Sequence, residues 1–415
     1  MTTPDHIPDL HTPAQRRRSL PGDGMPLDDR AAALAVEFGA DRRYHLGFPG
    51  ATDLTYPDLA GILTGHLLNN VGDPWQPGHG RNHTKDYETD LVQRLGQLFH
   101  AGDQPWGYVT TGTTEATLHA LDEASTAHHD LIVYTSTTAH YSVSKAARLL
   151  KLPLVLIRAD PAGRILLDDL RTQLGLRRDR AAAIVATAGT TITEAVDDVA
   201  GIADLCDHLG ITRRRVHVDA ALAGIPLALL PAHDRPGFDF TAGATSLVVS
   251  GHKFLSTLMP CALLLYPHRP ASPAGGHVPY LGSTDTTITG SRSGHTPLLL
   301  WWSLTSQGLD GHRHRADTAR ELAAHAHDRL HTIGWPSQRL PHAFTVTLTP
   351  PATPLPHPWI LGGTPDTGHL ICMPGIQKDW IDELVTDLKP ARRAGLVPQP
   401  RRPPNTALTA AAEPA

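Results

Sequence analysis

Short apolar runs recur through the middle of the chain. Residues 131–135 (LIVYT), 154–158 (LVLIR), 183–187 (AIVAT), 216–218 (VHV) and 247–250 (LVVS) are dominated by aliphatic side chains and are too short for helices. Between several of them the period changes to that of a helix, as in 142–150 and 198–209. Strands alternating with helices at this spacing predict an α/β architecture, a mostly parallel sheet covered on both faces. The run Ala262–Tyr266 follows 247–250 too closely for a helical crossover, so this pair is expected to be antiparallel. Beyond about residue 270 the rhythm shifts. A Gly/Ser/Thr loop precedes helical segments near 298–306 and 315–331, short strands at 344–348 and 369–373, and a helix near 379–388. The pattern predicts an N-terminal segment (1–45), a large domain (46–270), a smaller α+β domain (271–389) and a tail (390–415).

Composition refines this outline. Residues 1–25 are polar and Pro-rich with an Arg run at 16–18, and 390–415 is rich in Pro, Arg and Ala; both are expected to be disordered. With 36 basic and 41 acidic residues, the net charge of -5 disfavours nucleic acid as a partner. The three cysteines lie far apart without ligand spacing, which favours a reduced, cytoplasmic chain over a disulfide framework. No 18-residue apolar run marks a membrane span, and the start of the chain lacks a signal-peptide core. The 26 histidines show no HExxH or Cys/His spacing, so no metal site is expected; they read as a bias spread over solvated surface.

Lysine is scarce, at positions 85, 145, 151, 253, 378 and 389. Five of these stand in polar or amphipathic contexts that suit a solvated amine. Lys253 ends Ser250-Gly251-His252-Lys253, between an apolar strand and another apolar segment. Burial there would lower its pKa, as Schiff-base chemistry requires; a structural lysine at a domain edge is the plainer alternative. Asp219 closes the strand VHV and precedes Ala220-Ala221. Carboxyl ends of parallel strands are where open α/β sheets bind ligands, and a carboxylate there suits either a cofactor's pyridine nitrogen or a helix N-cap. Thr110-Thr111-Gly112-Thr113-Thr114-Glu115 follows a strand and opens a helix, as a phosphate cradle or a capping box would. His140, after LIVYT, fits either a ring-stacking or a capping role.

Taken in chain order (the Thr110–Glu115 loop, His140, Asp219, then Lys253), each at the end of a β-run, these elements resemble the group II pyridoxal-phosphate decarboxylases, and among them the bacterial histidine and plant serine decarboxylases. The resemblance rests on Asn69-Asn70-Val71-Gly72-Asp73-Pro74, Trp106-Gly107-Tyr108-Val109-Thr110, His140-Tyr141-Ser142, Gly189-Thr190-Thr191 with Ala195-Val196-Asp197-Asp198, and His217-Val218-Asp219-Ala220-Ala221. Towards the C-terminus it continues in Ser250-Gly251-His252-Lys253, Met259-Pro260-Cys261, and Thr289-Gly290-Ser291-Arg292 followed by Gly294-His295. It implies the aminotransferase-like fold type I and pyridoxal 5'-phosphate as cofactor. Lys253 would carry the Schiff base, Asp219 pair with the pyridinium nitrogen, His140 stack on the ring, and Ala221 pack on the opposite face. Gly112, Thr113, Thr114, Ser250 and His252 would hold the phosphate. It further implies decarboxylation of an L-amino acid, histidine first, in a homodimer with 283–287 contributed across the interface. Serine or another amino acid, another fold type I reaction such as transamination, and a non-catalytic cofactor-binding protein are the alternatives. Departures are Thr113 for a family Gly, no acidic residue at 136–139, Ala262, Ser293 and the loop 78–83 (GHGRNH), which should border the substrate pocket.

Overall fold

A computed structural model describes residues 26–271 and 276–393. The expected tails at 1–25 and from 394 onward lie outside the described residues. The first half comprises α1 (Leu27–Asp41), α2 (Ala60–Gly65), α3 (Lys85–Leu98), β1 (Trp106–Thr110), α4 (Thr113–Ala127), β2 (Ile132–Ser136), α5 (Tyr141–Leu149), β3 (Leu154–Ile157), α6 (Leu167–Gly175) and β4 (Ala182–Thr187). Then come α7 (Val199–His208), β5 (Arg214–Asp219), α8 (Gly224–Ala228), β6 (Ser246–Ser250), β7 (Ala262–Tyr266), β8 (His277–Val278), β9 (Ser283–Thr284), α9 (His295–Thr332), β10 (Ser337–Gln338), β11 (Thr345–Leu348), β12 (Gly362–Gly363), β13 (Gly368–Ile371) and α10 (Lys378–Arg393).

Seven strands form one sheet in the order β1-β7-β6-β5-β4-β2-β3. The pairs β2/β3, β2/β4, β4/β5 and β5/β6 are parallel. As the short 247–266 connection requires, β6 and β7 are antiparallel, and β7 also pairs antiparallel with β1. Strands β1, β2, β4, β6 and β7 are buried along their whole length, which is why they read as unbroken apolar runs. A second, antiparallel sheet runs β10-β11-β13-β12. One apolar core joins the two, from Leu91 and Val218 to Leu330, Phe344, Ile371 and Leu384.

The expected helices near 298–306 and 315–331 form a single long element, α9, broken only at Gly308 (φ 63°, ψ 175°). The last helix continues to Arg393, past Pro390 and the expected boundary at 389. No helix among the described residues is long and apolar enough to cross a membrane.

Candidate active site

Register places the site. Asp219, the last residue of β5, lies level with Thr187 on β4 and Val248 on β6. Two residues further along β6, Ser250 lies opposite Ala262 of β7, which in turn faces Thr110 of β1. The carboxyl ends of β1, β6 and β5 therefore come together at one edge. Immediately beyond Thr110 the chain turns through Gly112 into α4, so that Thr113 Oγ1 lies 2.9 Å from Ser250 Oγ. Glu115, in the first turn of α4, fixes that turn by accepting from the Thr111 N–H (2.8 Å) and Thr111 Oγ1 (2.7 Å). A Cβ added at Gly112 would meet nothing within 4 Å, so the cradle at this helix N-terminus opens onto free space.

Burial lowers the Lys253 pKa, and the nearby Asp219 carboxylate partly opposes this. Asp219 is buried, and one carboxylate oxygen accepts the Ala221 N–H at 3.1 Å. Its carbonyl accepts from Ala188, tying β5 to the loop after β4. Gly189 in that loop has φ 103° and lies so close to Ala223 that a Cβ would approach Ala223 Cβ to 2.6 Å. His140 caps α5. Its Nδ1 lies 2.8 Å from Ser142 Oγ, and burial holds its pKa down, with Asp219 raising it and Lys253 and Lys145 lowering it. His252 Nδ1 sits 3.0 Å from the Cys261 carbonyl oxygen.

A family model described as the pyridoxal-dependent decarboxylase conserved domain matches residues 89–334. The chain belongs to this family. Histidine decarboxylase of Mesorhizobium japonicum is 36% identical over 376 residues, which cover 90% of this chain and 99% of that protein. Histidine decarboxylase of Pseudomonas entomophila is 32% identical over 350 residues, covering 83% and 86% respectively. The crystal structure of L-methionine decarboxylase from Streptomyces sp. 590, in complex with L-methionine methyl ester in the external aldimine form, matches with a TM-score of 0.78 at 24% identity, over 90% of this chain and 96% of that one. That likeness establishes fold type I. As a pyridoxal-dependent decarboxylase, the chain is a pyridoxal-phosphate-dependent carboxy-lyase acting on an amino acid.

The donor set fits the cofactor. An amine held towards its neutral form, a buried carboxylate, a half-buried imidazole, two hydroxyls and a helix N-terminus match an aldehyde, a pyridine ring and a phosphate. Ala221, two residues beyond Asp219, is small and 8% exposed.

The motifs include Arg292 and Asn70 but miss the carboxylate that holds them. Glu88 on α3 is fully buried and forms an ion pair with Arg292, which is itself 4% exposed. Glu88 Oε1 accepts the Val109 N–H of β1 (2.7 Å), and Oε2 accepts from Asn70 (3.0 Å). Arg292 also reaches the Val109 and Gly72 carbonyls and stands over the Tyr108 ring at 5.1 Å. It is thus engaged by protein and is not presented to a substrate carboxylate. Glu88 continues the buried stripe of Leu91, Val92 and Leu95 at helical spacing, and a charged residue on that stripe was the available signal.

Two readings need correction. Lys85 is no solvated amine: it lies on the same buried face of α3 and is 3% exposed. The histidines are not all on the surface, since His119, His217, His312 and His369 are buried. Tyr108 Oη pairs with His119 Nδ1 (3.1 Å), His217 with Ser246 (2.8 Å), and His312 with the Ser303 carbonyl (3.1 Å). Among the described residues, no three His, Cys, Asp or Glu side chains are grouped as a metal site would need.

Proposed function

We propose that the chain decarboxylates L-histidine, releasing CO2 and the corresponding amine, as a homodimer in which 283–287 of one subunit complete the site of the other. The observation that carries the reading is the placement of His140, Asp219 and Lys253 at or just beyond the carboxyl ends of β2, β5 and β6 in the large sheet; the histidine decarboxylases among its relatives point to the substrate. Largely exposed Leu67, Tyr141 and Leu258 support a further covering surface. Three free, buried cysteines accord with a reducing, cytoplasmic setting.

Pyridoxal phosphate, bound through Lys253, supplies the conjugated ring that accepts the electron pair left as the Cα–carboxylate bond breaks. The protein's part is positioning and charge. Burial keeps the Lys253 amine nearer its nucleophilic form. Asp219 holds a proton at the ring nitrogen, sustaining the positive charge that draws electrons. His140 stays neutral; with Nδ1 engaged by Ser142, its Nε2 edge and ring face remain for ring and substrate. Ala221 packs against the opposite face. Gly112, Thr113, Thr114, Ser250 and His252 hold the phosphate at the positive end of α4. With the cofactor bound, these residues would orient the substrate so that its Cα–carboxylate bond is the one that breaks.

Two measurements test this. The purified protein should be yellow, and Lys253→Ala should lose the visible band; a colourless wild type after cofactor addition overturns the roles assigned. In a panel of L-amino acids, histidine should release CO2 and histamine fastest. Amino-group transfer without CO2 would replace the reading with transamination.

A further inference from the structure

One buried cation has no part in the chemistry above. Lys85 opens α3 with its side chain directed inward. Its Nζ donates to the Gln76 carbonyl at 2.6 Å, the one hydrogen bond it makes among the described residues, so two of its three donors lack a protein acceptor. Three carboxylates act on it, and each is engaged elsewhere, Asp285 by accepting from the Thr287 N–H (3.1 Å) and Thr287 Oγ1 (2.9 Å). Glu88 is held by Arg292 and Asn70. Asp73 accepts from Arg269 (2.6 Å), Thr286 Oγ1 (2.9 Å) and the Trp75 N–H (2.7 Å). Among the described residues Lys85 forms no ion pair. Burial, and secondarily Arg292, lower its pKa, while Glu88, Asp73 and Asp285 act at a distance to raise it.

Lys85 lines a cavity of about 220 Å³ whose walls include Asn69, Val71, Asn82, His83 and Tyr280. No acidic residue lines it, so the lysine's charge is not balanced from within. The loop over it is held close: Gly78 has φ 70°, a Cβ there would come within 2.7 Å of the Leu281 carbonyl oxygen, and His79 N–H donates to that same oxygen (2.9 Å). A buried, unpaired cation is costly, and a small anion that takes its free donors would offset that cost.

We propose that this cavity binds a carboxylate, with Lys85 as the cation that receives it. The carboxylate has two candidate sources, the amino-acid substrate or a free organic acid; only that distinction rests on the decarboxylase reading. The test is calorimetric titration of acetate, and of its neutral isostere acetamide, into the cofactor-loaded full-length protein at fixed ionic strength. Acetate should saturate and acetamide should not. Lys85→Met and Lys85→Gln should weaken acetate at least tenfold, while Lys85→Arg retains it. Unchanged acetate binding in folded Lys85→Met, or equal behaviour of acetate and acetamide, overturns the proposal. Should the neutral variants fail to fold, [ε-13C]lysine labelling of the wild type decides, since the chain has six lysines. The resonance missing from Lys85→Arg must shift with acetate, and its constancy overturns the site. Steady-state kinetics then separate the sources. Competitive inhibition by acetate, with a KM increase and little change in kcat for Lys85→Met, assigns the substrate's own carboxylate; non-competitive inhibition assigns a free acid. Because binding is read without turnover, failure of the histidine assignment leaves this test intact.

Discussion

The pair formed by Glu88 and Arg292 holds four otherwise separate segments: α3, the 69–72 turn, β1 and the Thr289–Arg292 stretch. Both side chains are buried, so replacing one leaves the other charged in a low-dielectric setting. Glu88→Gln should therefore cost about 3–5 kcal/mol, read as a lowered midpoint in urea unfolding. A loss below about 1 kcal/mol, the range of exposed pairs, would mean that water reaches Arg292. At this scale, legibility in the sequence followed the type of element. Lys253 and Asp219 end apolar strands, where a charged residue breaks the run and is conspicuous. Lys85 and Glu88 stand on a helix, where one charge in four looks like ordinary amphipathic patterning until the buried face is phased.

Between elements, the parallel strands and the β6/β7 reversal were legible because each follows from local spacing and loop length. The pairing of β1 with β7 was not: it joins residues more than 150 positions apart, and nothing in either strand's pattern selects the partner. The break in α9 was legible only as an interval of weak helical pattern. Its physical origin is one residue, Gly308, in the left-handed region, where an added Cβ would meet nothing within 4 Å. Gly308→Ala therefore has no steric neighbour to strike and should register backbone strain alone, about 1–3 kcal/mol, as a lowered melting temperature. An unchanged melting temperature would show that α9 straightens through residue 308 at no cost to the packing of either half.

For the molecule as a whole, buried titratable groups set the pH range of stability, and they act in opposite directions. Burial pushes His119 down to about 4 and His217 to about 3, and His312 falls to about 4 with help from Arg315. Unfolded, each would take a proton near pH 6.5, so from there to about pH 4 the unfolded chain binds more protons and acid favours it. Stability from these groups is complete above about pH 6.5 and lost on acidification. Glu194 and Asp197 do the reverse. Burial lifts them to about 7 and about 6, so the folded chain binds more protons between their ordinary values and these, and stability falls as pH rises through that window. Glu194 accepts from the Phe344 and Thr345 N–H groups of the second sheet, so its ionisation acts where the two sheets meet. These three histidines, reinforced by buried His369, whose pKa burial also lowers, outweigh the two carboxylates and give a net gain from about pH 4.5 to 6.5, a maximum near neutrality, and a shallow decline as Glu194 ionises. Melting temperatures across pH 4–8 should trace that shape. His119→Asn, which cannot charge, should flatten the acid limb by up to about 3 kcal/mol. Glu194→Gln should remove the decline above about pH 6.5 and leave the acid limb standing. If it instead flattens the acid limb, Glu194 is ionised in the fold and the meeting of the two sheets is wetter than its burial indicates.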